Sequence, residues 1–317
     1  MTEVAPEETI WDALRGALAT RTLAIIAELG IPRALAEGSR SVEDLARETG
    51  TDADALYRLM RALASDGIFA EEEPGVFAHT PASELLLTSG WDDFAVLFGG
   101  VWYHAVEGLD ASGKAVFPDT FGTDFWTWLA AHPVERARFD RAMAQGSDRR
   151  IERLDAVEWR DGETVVDVGG GNGSLLVELL KLHPGLRGIV FDLPEAVRDE
   201  SLFGERLEYE AGSFFERVPE GDVYLLGTIL HDWDDSSATK ILRTIRAAAP
   251  QHARLLVLDA VVPAGNERFG PKWLDLLMLT LFAGRERNEG QWRALLADGG
   301  FEPVRFHERL IEARCRS

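Results

Sequence analysis

The sequence predicts an α/β protein in which a doubly wound parallel sheet follows a mostly helical N-terminal domain. From about residue 155, short β-branched runs alternate with helical stretches, from TVVDVG to ARLLVLDAVV. Before that, three amphipathic helical stretches precede a hairpin signal, IFAEEEPGVFAHT, which is the element order of a winged helix. We therefore divide the chain into a winged-helix-like domain (1–100), a helical connector (101–154) and an α/β domain (155–317).

The N-terminal helices are indicated by their caps and breaks. TIWDALRGALATRTLAIIAELG has apolar residues at helical spacing and is broken near Gly30 and Pro32. SVEDLARETG opens with a capping-box pattern, Ser41 followed by Asp44, and a third amphipathic helix follows it. The apolar content of residues 10–35 exceeds what a small domain needs, so we expect a homodimer through this domain.

A winged helix raises the alternative of DNA binding. The recognition helix would span about residues 52–65, where Arg58 and Arg61 stand against Asp52, Asp54 and the following Asp66, and the wing would be EEEPG. The whole chain carries a formal net charge of −21. Nucleic acids and anionic membranes bind clusters of Lys and Arg, which neutralise their phosphates. The sequence therefore argues against nucleic acid and against anionic membrane surfaces as partners.

The remaining compositional signals concern location and metals. The one cysteine, Cys315, permits no intrachain disulfide, which fits a reducing cytoplasm. The acidic start lacks the basic and apolar regions of a signal peptide, and no apolar run approaches about 18 residues. We expect a cytoplasmic protein without membrane spans, and the spacing of His, Cys and carboxylates predicts no metal site.

Aromatic residues are dense between the two domains, in residues 91–150. Most are expected to pack in the core, and a few to line an apolar pocket for a flat ligand. These residues are Trp91, Phe94, Phe98, Trp102, Tyr103, Phe117, Phe121, Phe125, Trp126, Trp128 and Phe139.

The first strand of the α/β domain runs into a glycine loop, DVGGGNGS. Its spacing, Asp167-x-Gly169-x-Gly171-x-Gly173, differs from the G-x-G-x-x-G of dinucleotide folds. Glycines permit positive φ and a close approach of ligand to backbone, and the helix beginning near Ser174 directs its N-terminus at the same place. The loop contains no Lys or Arg, so a phosphate-rich ligand is not favoured.

An acid ends the second strand, Asp192 in GIVFDL. An acid at this strand tip is placed to accept hydrogen bonds from a ribose diol, so loop and acid together indicate a nucleoside ligand. S-adenosylmethionine fits, because it has a ribose, an amino acid portion and no pyrophosphate. The alternative is a tight turn with a capping Asp.

Three blocks of the chain resemble a known family. VVDVGGGNGSLLVELLKLHPGLRGIVFDLP, AGSFFERVPEGDVYLLGTILHDWDD and LLVLDAVVP are similar to class I methyltransferases of the small-molecule O-methyltransferase type. These include plant phenol methyltransferases and bacterial polyketide-tailoring enzymes. The resemblance implies a Rossmann-like sheet of seven strands with the last antiparallel, a dimer with interlocking N-terminal helices, and S-adenosylmethionine as cofactor.

The resemblance also assigns residues to the cofactor. The glycine loop would hold it, the strand-end acid would bind its ribose, GSFF would contact its adenine, and FDRAMAQGS would close over it. Ser213 stands where an Asp is frequent, which puts a hydrogen bond to the adenine amine in doubt. The predicted cofactor residues are Asp167, Gly169, Gly171, Gly173, Asp192, Leu193, Ser213, Phe214, Met143 and Ser147.

His231, in ILHDWDD, matches the catalytic base of the family. Asp259 falls where the plant enzymes have a Glu that orients the base, and Glu286 in GRERN matches a second flanking acid. Parallel strands end at one edge of a sheet, so His231 and Asp259 can meet. Gly227 departs from the family, where many members have a Lys or Arg four residues before the base.

The acceptor is expected to be a flat hydroxylated molecule that the imidazole deprotonates for methyl transfer. An alternative is a relative that keeps the fold but hydroxylates, decarboxylates or performs a pericyclic reaction. Asp234 and Asp235 are expected to start a helix, and the acids that serve the histidine to come from elsewhere in the chain. The predicted substrate residues are Trp102, His104, Asp232, Asp275 and Met278.

Overall fold

The computed structural model describes residues 5–88, 90–144, 147–194, 196 and 206–316, without the side chains of residues 144, 147 and 148. The chain divides into two compact units, Met1–Glu107 with His132–Gln145 and Gly108–Ala131 with Gly146–Ser317. The stretch 101–154, predicted as a connector, is thus divided between them. Within the described ranges, no helix combines the length and apolarity needed to cross a membrane.

The first unit has the predicted order of helices followed by a hairpin. Strands β1 to β3 form a small antiparallel sheet in the order β1-β3-β2. Its core is built from apolar side chains of α1, α3, α4 and the hairpin, including Ile26, Leu45, Met60, Phe69 and Phe77. The elements are α1 (Pro6–Glu28), α2 (Ile31–Ala34), β1 (Arg40–Ser41), α3 (Val42–Thr49), α4 (Ala53–Ser65), β2 (Phe69–Glu73), β3 (Val76–His79), α5 (Pro81–Glu84), a 3₁₀ turn (Leu85–Leu87), α6 (Trp91–Gly99) and α7 (Val101–Val106).

Local capping explains where these helices begin and end. The Ser41 hydroxyl accepts a hydrogen bond from the Asp44 amide at the start of α3, as the capping pattern predicts. Asp52 caps α4 in the same way through the Ala55 amide. Helix α1 ends before Gly30, whose left-handed φ of 71° turns the chain.

Four helices precede the large sheet. They are α8 (Phe117–Phe121), α9 (Phe125–Ala131), α10 (Pro133–Ala144) and α11 (Ser147–Asp155). Helix α10 belongs to the first unit, where Arg141 makes two hydrogen bonds to the buried Asp93 of α6 at 2.6 and 2.8 Å. The other three belong to the second unit.

The second unit contains the predicted seven-stranded sheet, in the order β6-β5-β4-β7-β8-β10-β9. The first five of these strands are parallel, and β10 is antiparallel to both neighbours, so the reversed last strand is confirmed. Two buried apolar clusters cover its faces. The elements are β4 (Thr164–Val168), α12 (Ser174–Leu182), β5 (Arg187–Asp192), β6 (Leu207–Ala211), β7 (Val223–Leu226), a 3₁₀ turn (Leu230–Asp232), α13 (Asp235–Ala248), β8 (Arg254–Val257), α14 (Pro271–Phe282), α15 (Glu289–Asp298), β9 (Phe301–His307) and β10 (Leu310–Cys315).

Candidate active site

The glycine loop connects β4 to α12 with three left-handed glycines. Gly173, with φ of 77°, is held closely between β5 and β6, because a Cβ there would lie 2.8 Å from Val190 and 2.9 Å from the Tyr209 hydroxyl. Gly171, with φ of 58°, has open space where a Cβ would stand. The loop is therefore fixed at its base and open at its tip, where a ligand can approach the backbone.

Asp192 at the end of β5 is hydrogen-bonded to this loop. Its Oδ2 accepts from the Gly171 amide at 2.7 Å and its Oδ1 from the Leu193 amide at 2.6 Å. The acid thus orders the loop tip. A carboxylate oxygen has two lone pairs, so a capping role leaves room for a ribose hydroxyl.

Asp167 lies beneath the loop and is almost fully buried. Its Oδ2 has no hydrogen-bond partner among the described residues. Gly170 passes so close to this oxygen that a Cβ there would lie 2.7 Å from it. Burial raises the pKa of this carboxyl to about 7, the charge of Asp192 adds to the effect, and Arg150 opposes it. An orphaned buried carboxylate beside an open loop fits the ammonium of an amino acid ligand.

The GSFF segment follows β6 and reaches the same loop. Ser213 holds a turn, since its hydroxyl accepts from the Phe215 amide at 3.3 Å. A Cβ on Gly169 would lie 3.7 Å from the Phe214 ring, so this ring borders the loop. The same ring meets Trp233 edge-on at 5.9 Å, so Trp233 packs against it.

Several residues predicted to contact cofactor or substrate belong to the first unit or lie outside the described residues. Met143, Trp102 and His104 belong to the first unit, where Trp102 is buried edge-on against Phe94 and Phe98 and His104 is exposed. The side chain of Ser147 lies outside the described residues. These assignments stay predictions.

His231 sits in the 3₁₀ turn Leu230–Asp232 that follows β7, with its side chain buried. Its Nδ1 lies 2.8 Å from Oε1 of Glu286, which is also buried. Its Nε2 lies 3.4 Å from Oδ1 of Asp232. The imidazole is therefore held between one carboxylate from a distant segment and one from its own turn.

This geometry corrects two predictions. Asp259 does not orient the imidazole by a hydrogen bond, and neither of its oxygens meets a donor with good geometry among the described residues. The longer Glu286 side chain makes that contact instead. The acids beside His231 also do not all come from elsewhere, because Asp232 is its immediate neighbour. Asp234 caps α13 through the Ser237 amide, as expected.

The charges around His231 change its proton affinity. Burial alone would lower the pKa of the imidazole, but the charges of Asp259, Asp232 and Glu286 outweigh burial and raise it to about 10. Burial raises the pKa of Asp232 to about 7 and that of Asp259 to about 6, although the imidazolium opposes both shifts. All three groups therefore bind their protons more tightly than the same side chains do in water.

Glu286 is positioned by the turn that ends α14. Ala283 adopts a left-handed φ of 57°, and Gly284 passes so close to the His231 carbonyl that a Cβ would lie 2.3 Å from its oxygen. Asp275, predicted as a pocket acid, accepts from the Glu286 amide at 2.7 Å. The buried Met278 accepts from the Gly284 amide through its carbonyl.

Two functional candidates were missed at the level of sequence. Arg150 on α11 lies near enough to Asp167 to lower the pKa of that carboxyl. Arg287 is fully buried beneath the His231 turn. Neither arginine belongs to a sequence motif that predicts a charge partner for it. The segment GRERN, which contains Arg287, has the composition of an exposed polar loop. The one available signal was the adjacency of Arg287 to Glu286.

The strand order, the reversed last strand and the glycine loop after the first strand define a class I methyltransferase. The O-methyltransferase domain model matches residues 102–302, and the O-methyltransferase dimerisation domain model matches residues 11–89. The chain therefore belongs to the O-methyltransferase family and is an S-adenosylmethionine-dependent O-methyltransferase.

Relatives with known names match over nearly the whole chain. The phenazine O-methyltransferase PhzM of Lysobacter antibioticus is 37% identical over 95% of this chain and 94% of that protein. The crystal structure of LaPhzM superposes with a TM-score of 0.90 at 36% identity, over 98% of this chain and 100% of the other. The O-methyltransferase NcsB1 from neocarzinostatin biosynthesis, solved with S-adenosyl-L-homocysteine and 1,4-dihydroxy-2-naphthoic acid, superposes with a TM-score of 0.78 at 33% identity, over 94% of this chain and 96% of the other.

Proposed function

We propose that the enzyme methylates a hydroxyl group of a small aromatic or polyketide natural product, with His231 as general base. The observation that carries the proposal is the 2.8 Å contact between the His231 Nδ1 and Glu286. The relatives support the acceptor class, since one is named for phenazines and another was solved with a dihydroxynaphthoic acid. The non-methylating alternative has no support among them.

The imidazole suits this chemistry because a phenol, with a pKa of about 10, is a weak nucleophile until it loses its proton. The base form is the neutral imidazole, in which Nδ1–H donates to Glu286 and the Nε2 lone pair accepts the hydroxyl proton. Because the raised pKa keeps the ring mostly protonated at neutral pH, the fraction in this form increases as the pH rises towards about 10. Glu286 and Asp232 then stabilise the imidazolium. Bound S-adenosylmethionine supplies an electrophilic methyl group, and much of the catalysis is positioning.

The cofactor would be held by groups of the second unit. Asp167 would accept from the ammonium of the amino acid portion, which its unpartnered Oδ2 supports. The amides near the open tip at Gly171 would border the same portion, Asp192 would take the ribose, and the Phe214 ring would pack on the adenine.

A homodimer through the N-terminal domain is part of the proposal. It is supported by the match to the dimerisation domain and by four exposed apolar side chains on one helix, α1. These are Ile10, Trp11, Leu14 and Leu18. We also propose a cytoplasmic location, which the single cysteine supports.

His231→Gln tests the base role. We expect methylation of an aromatic hydroxyl panel, followed as S-adenosylhomocysteine formation, to fall by at least about 100-fold, the lower range for loss of a general base. The dissociation constant of S-adenosylhomocysteine should stay within about twofold, because the cofactor groups are elsewhere. Loss of binding together with activity would refute the base role. Matched amine analogues in the panel distinguish O- from N-methylation, and acceptor consumption without S-adenosylhomocysteine would point to the non-methylating alternative.

A further inference from the structure

Arg287 is fully buried, and all three nitrogens of its guanidinium donate hydrogen bonds. Nη1 donates to the Leu230 carbonyl at 2.8 Å, and Nη2 donates to the Trp233 carbonyl at 2.8 Å. Nε donates to Oδ1 of Asp235 at 2.9 Å. The two carbonyls bracket His231 and Asp232, so the guanidinium spans the turn that carries the candidate base.

This turn has little support of its own. Its backbone hydrogen bonds are long, 3.2 Å from the Asp232 amide and 3.4 Å from the Trp233 amide. The segment leading into it contains Thr228 at a φ of 57°, a left-handed conformation that is strained for a β-branched residue. A planar fork of donors is suited to hold two carbonyls at a fixed separation, which a single ammonium is not.

The guanidinium is itself held in place from several sides. It lies over the Trp292 ring, with 5.4 Å between its central carbon and the ring centroid, and that indole donates to the Ala260 carbonyl at 2.9 Å. The Arg287 carbonyl accepts from the Val262 amide at 2.9 Å. Asp235 balances its charge and also accepts from Arg285 at 2.9 Å.

Arg287 directly follows Glu286, the residue that contacts the imidazole. A contact from Arg287 to the turn therefore ties together the two chain segments that carry the carboxylate and the histidine. We propose that Arg287, fixed by Asp235, is a positioning residue that sets the His231 ring against Glu286 and Asp232. It acts through the turn and touches neither acceptor nor cofactor.

Arg287→Gln removes the fork. We expect kcat to fall by about 10- to 100-fold, since displacement of a catalytic group by about 1 Å can cost that much. The KM for S-adenosylmethionine and the dissociation constant of S-adenosylhomocysteine should stay within about twofold. A ring that loses Glu286 keeps Asp232 and Asp259 as charged neighbours, and this loss should move the acid limb of the pH–kcat profile to lower pH, against the smaller and opposite effect of removing the Arg287 charge. Arg287→Lys should recover part of kcat.

Two further variants keep the test sharp. Asp235 is largely exposed, so Asp235→Asn should fold and still lower kcat by about 3- to 10-fold, with the acid limb moving in the same direction. Arg293→Gln is the matched control. It removes a nearby arginine whose ion pair with Glu289 is on the surface, and it should leave kcat unchanged. The proposal would be overturned if Arg287→Lys and Asp235→Asn lowered the melting temperature but left both kcat and the pH–kcat profile unchanged.

Discussion

Asp167→Asn should raise the stability of the cofactor-free enzyme, and should raise it more at high pH. Asp167 is nearly fully buried and its Oδ2 lacks a partner among the described residues, so ionisation in the folded state is unfavourable. Its pKa is raised from 3.8 to about 7, chiefly by burial. The folded protein thus holds this proton more tightly than the unfolded chain, and the associated stability is lost as the pH rises from about 4 through 7.

The magnitude follows from that pKa. Each pH unit between the unfolded and folded values costs about 1.4 kcal/mol, so wild type should lose roughly 2 to 3 kcal/mol relative to Asp167→Asn between pH 5 and pH 7. Above pH 7 the difference should level off. All other titrating groups are common to both proteins and cancel to first order in the comparison.

The assay is urea unfolding of both cofactor-free proteins at pH 5, 6, 7 and 8. A difference in unfolding free energy that does not change with pH would refute the reasoning, because it would mean that Asp167 is ionised throughout. A second measurement concerns the ammonium. Binding of S-adenosylhomocysteine to wild type at pH 6 should release about one proton, and binding to Asp167→Asn none, by calorimetry in two buffers.

Three further predictions concern the catalytic cluster and the loop. Glu286→Gln should lower kcat by about 100-fold, and the acid limb of its pH profile should move to lower pH because a carboxylate that raises the pKa of His231 is lost. Asp259→Asn should move the limb in the same direction and reduce kcat less than tenfold, since no hydrogen bond to the ring is removed; an equal loss in both variants would restore Asp259 as the orienting acid. Gly173→Ala should cost about 1 to 3 kcal/mol in urea unfolding, because its Cβ would meet Val190 at 2.8 Å in a left-handed conformation; an unchanged midpoint would contradict this.

Much of the fold follows from local patterns. The alternation of β-branched runs with helical stretches predicts the parallel strands, and the capping pattern at Ser41 locates the start of α3. The glycine loop and Asp192 are adjacent to strand ends that the pattern already predicts. These features depend on periodicity and on backbone conformation, which a sequence displays directly.

The partners of His231 depend on reach and on turns between distant elements. The family resemblance assigned Asp259 to orient the base and Glu286 to flank it, and in the structure Glu286 makes the hydrogen bond to the ring. The choice depends on one extra methylene in Glu286 and on the left-handed Ala283, which brings the chain back against His231. Sequence spacing does not give the distance from His231 to either carboxylate.

ILHDWDD shows the same division. By itself the sequence predicted a strand running into the histidine and then a helix capped by an aspartate; the helix cap is confirmed, but the strand ends at Leu226 and His231 lies in a separate 3₁₀ turn. Only the tertiary structure decided that Asp232 stays beside the imidazole and that Asp235 pairs with the buried Arg287. The physical reason is that buried charges are stable only beside specific partners, and two of these pairs, His231 with Glu286 and Arg287 with Asp235, join segments more than 50 residues apart in the chain.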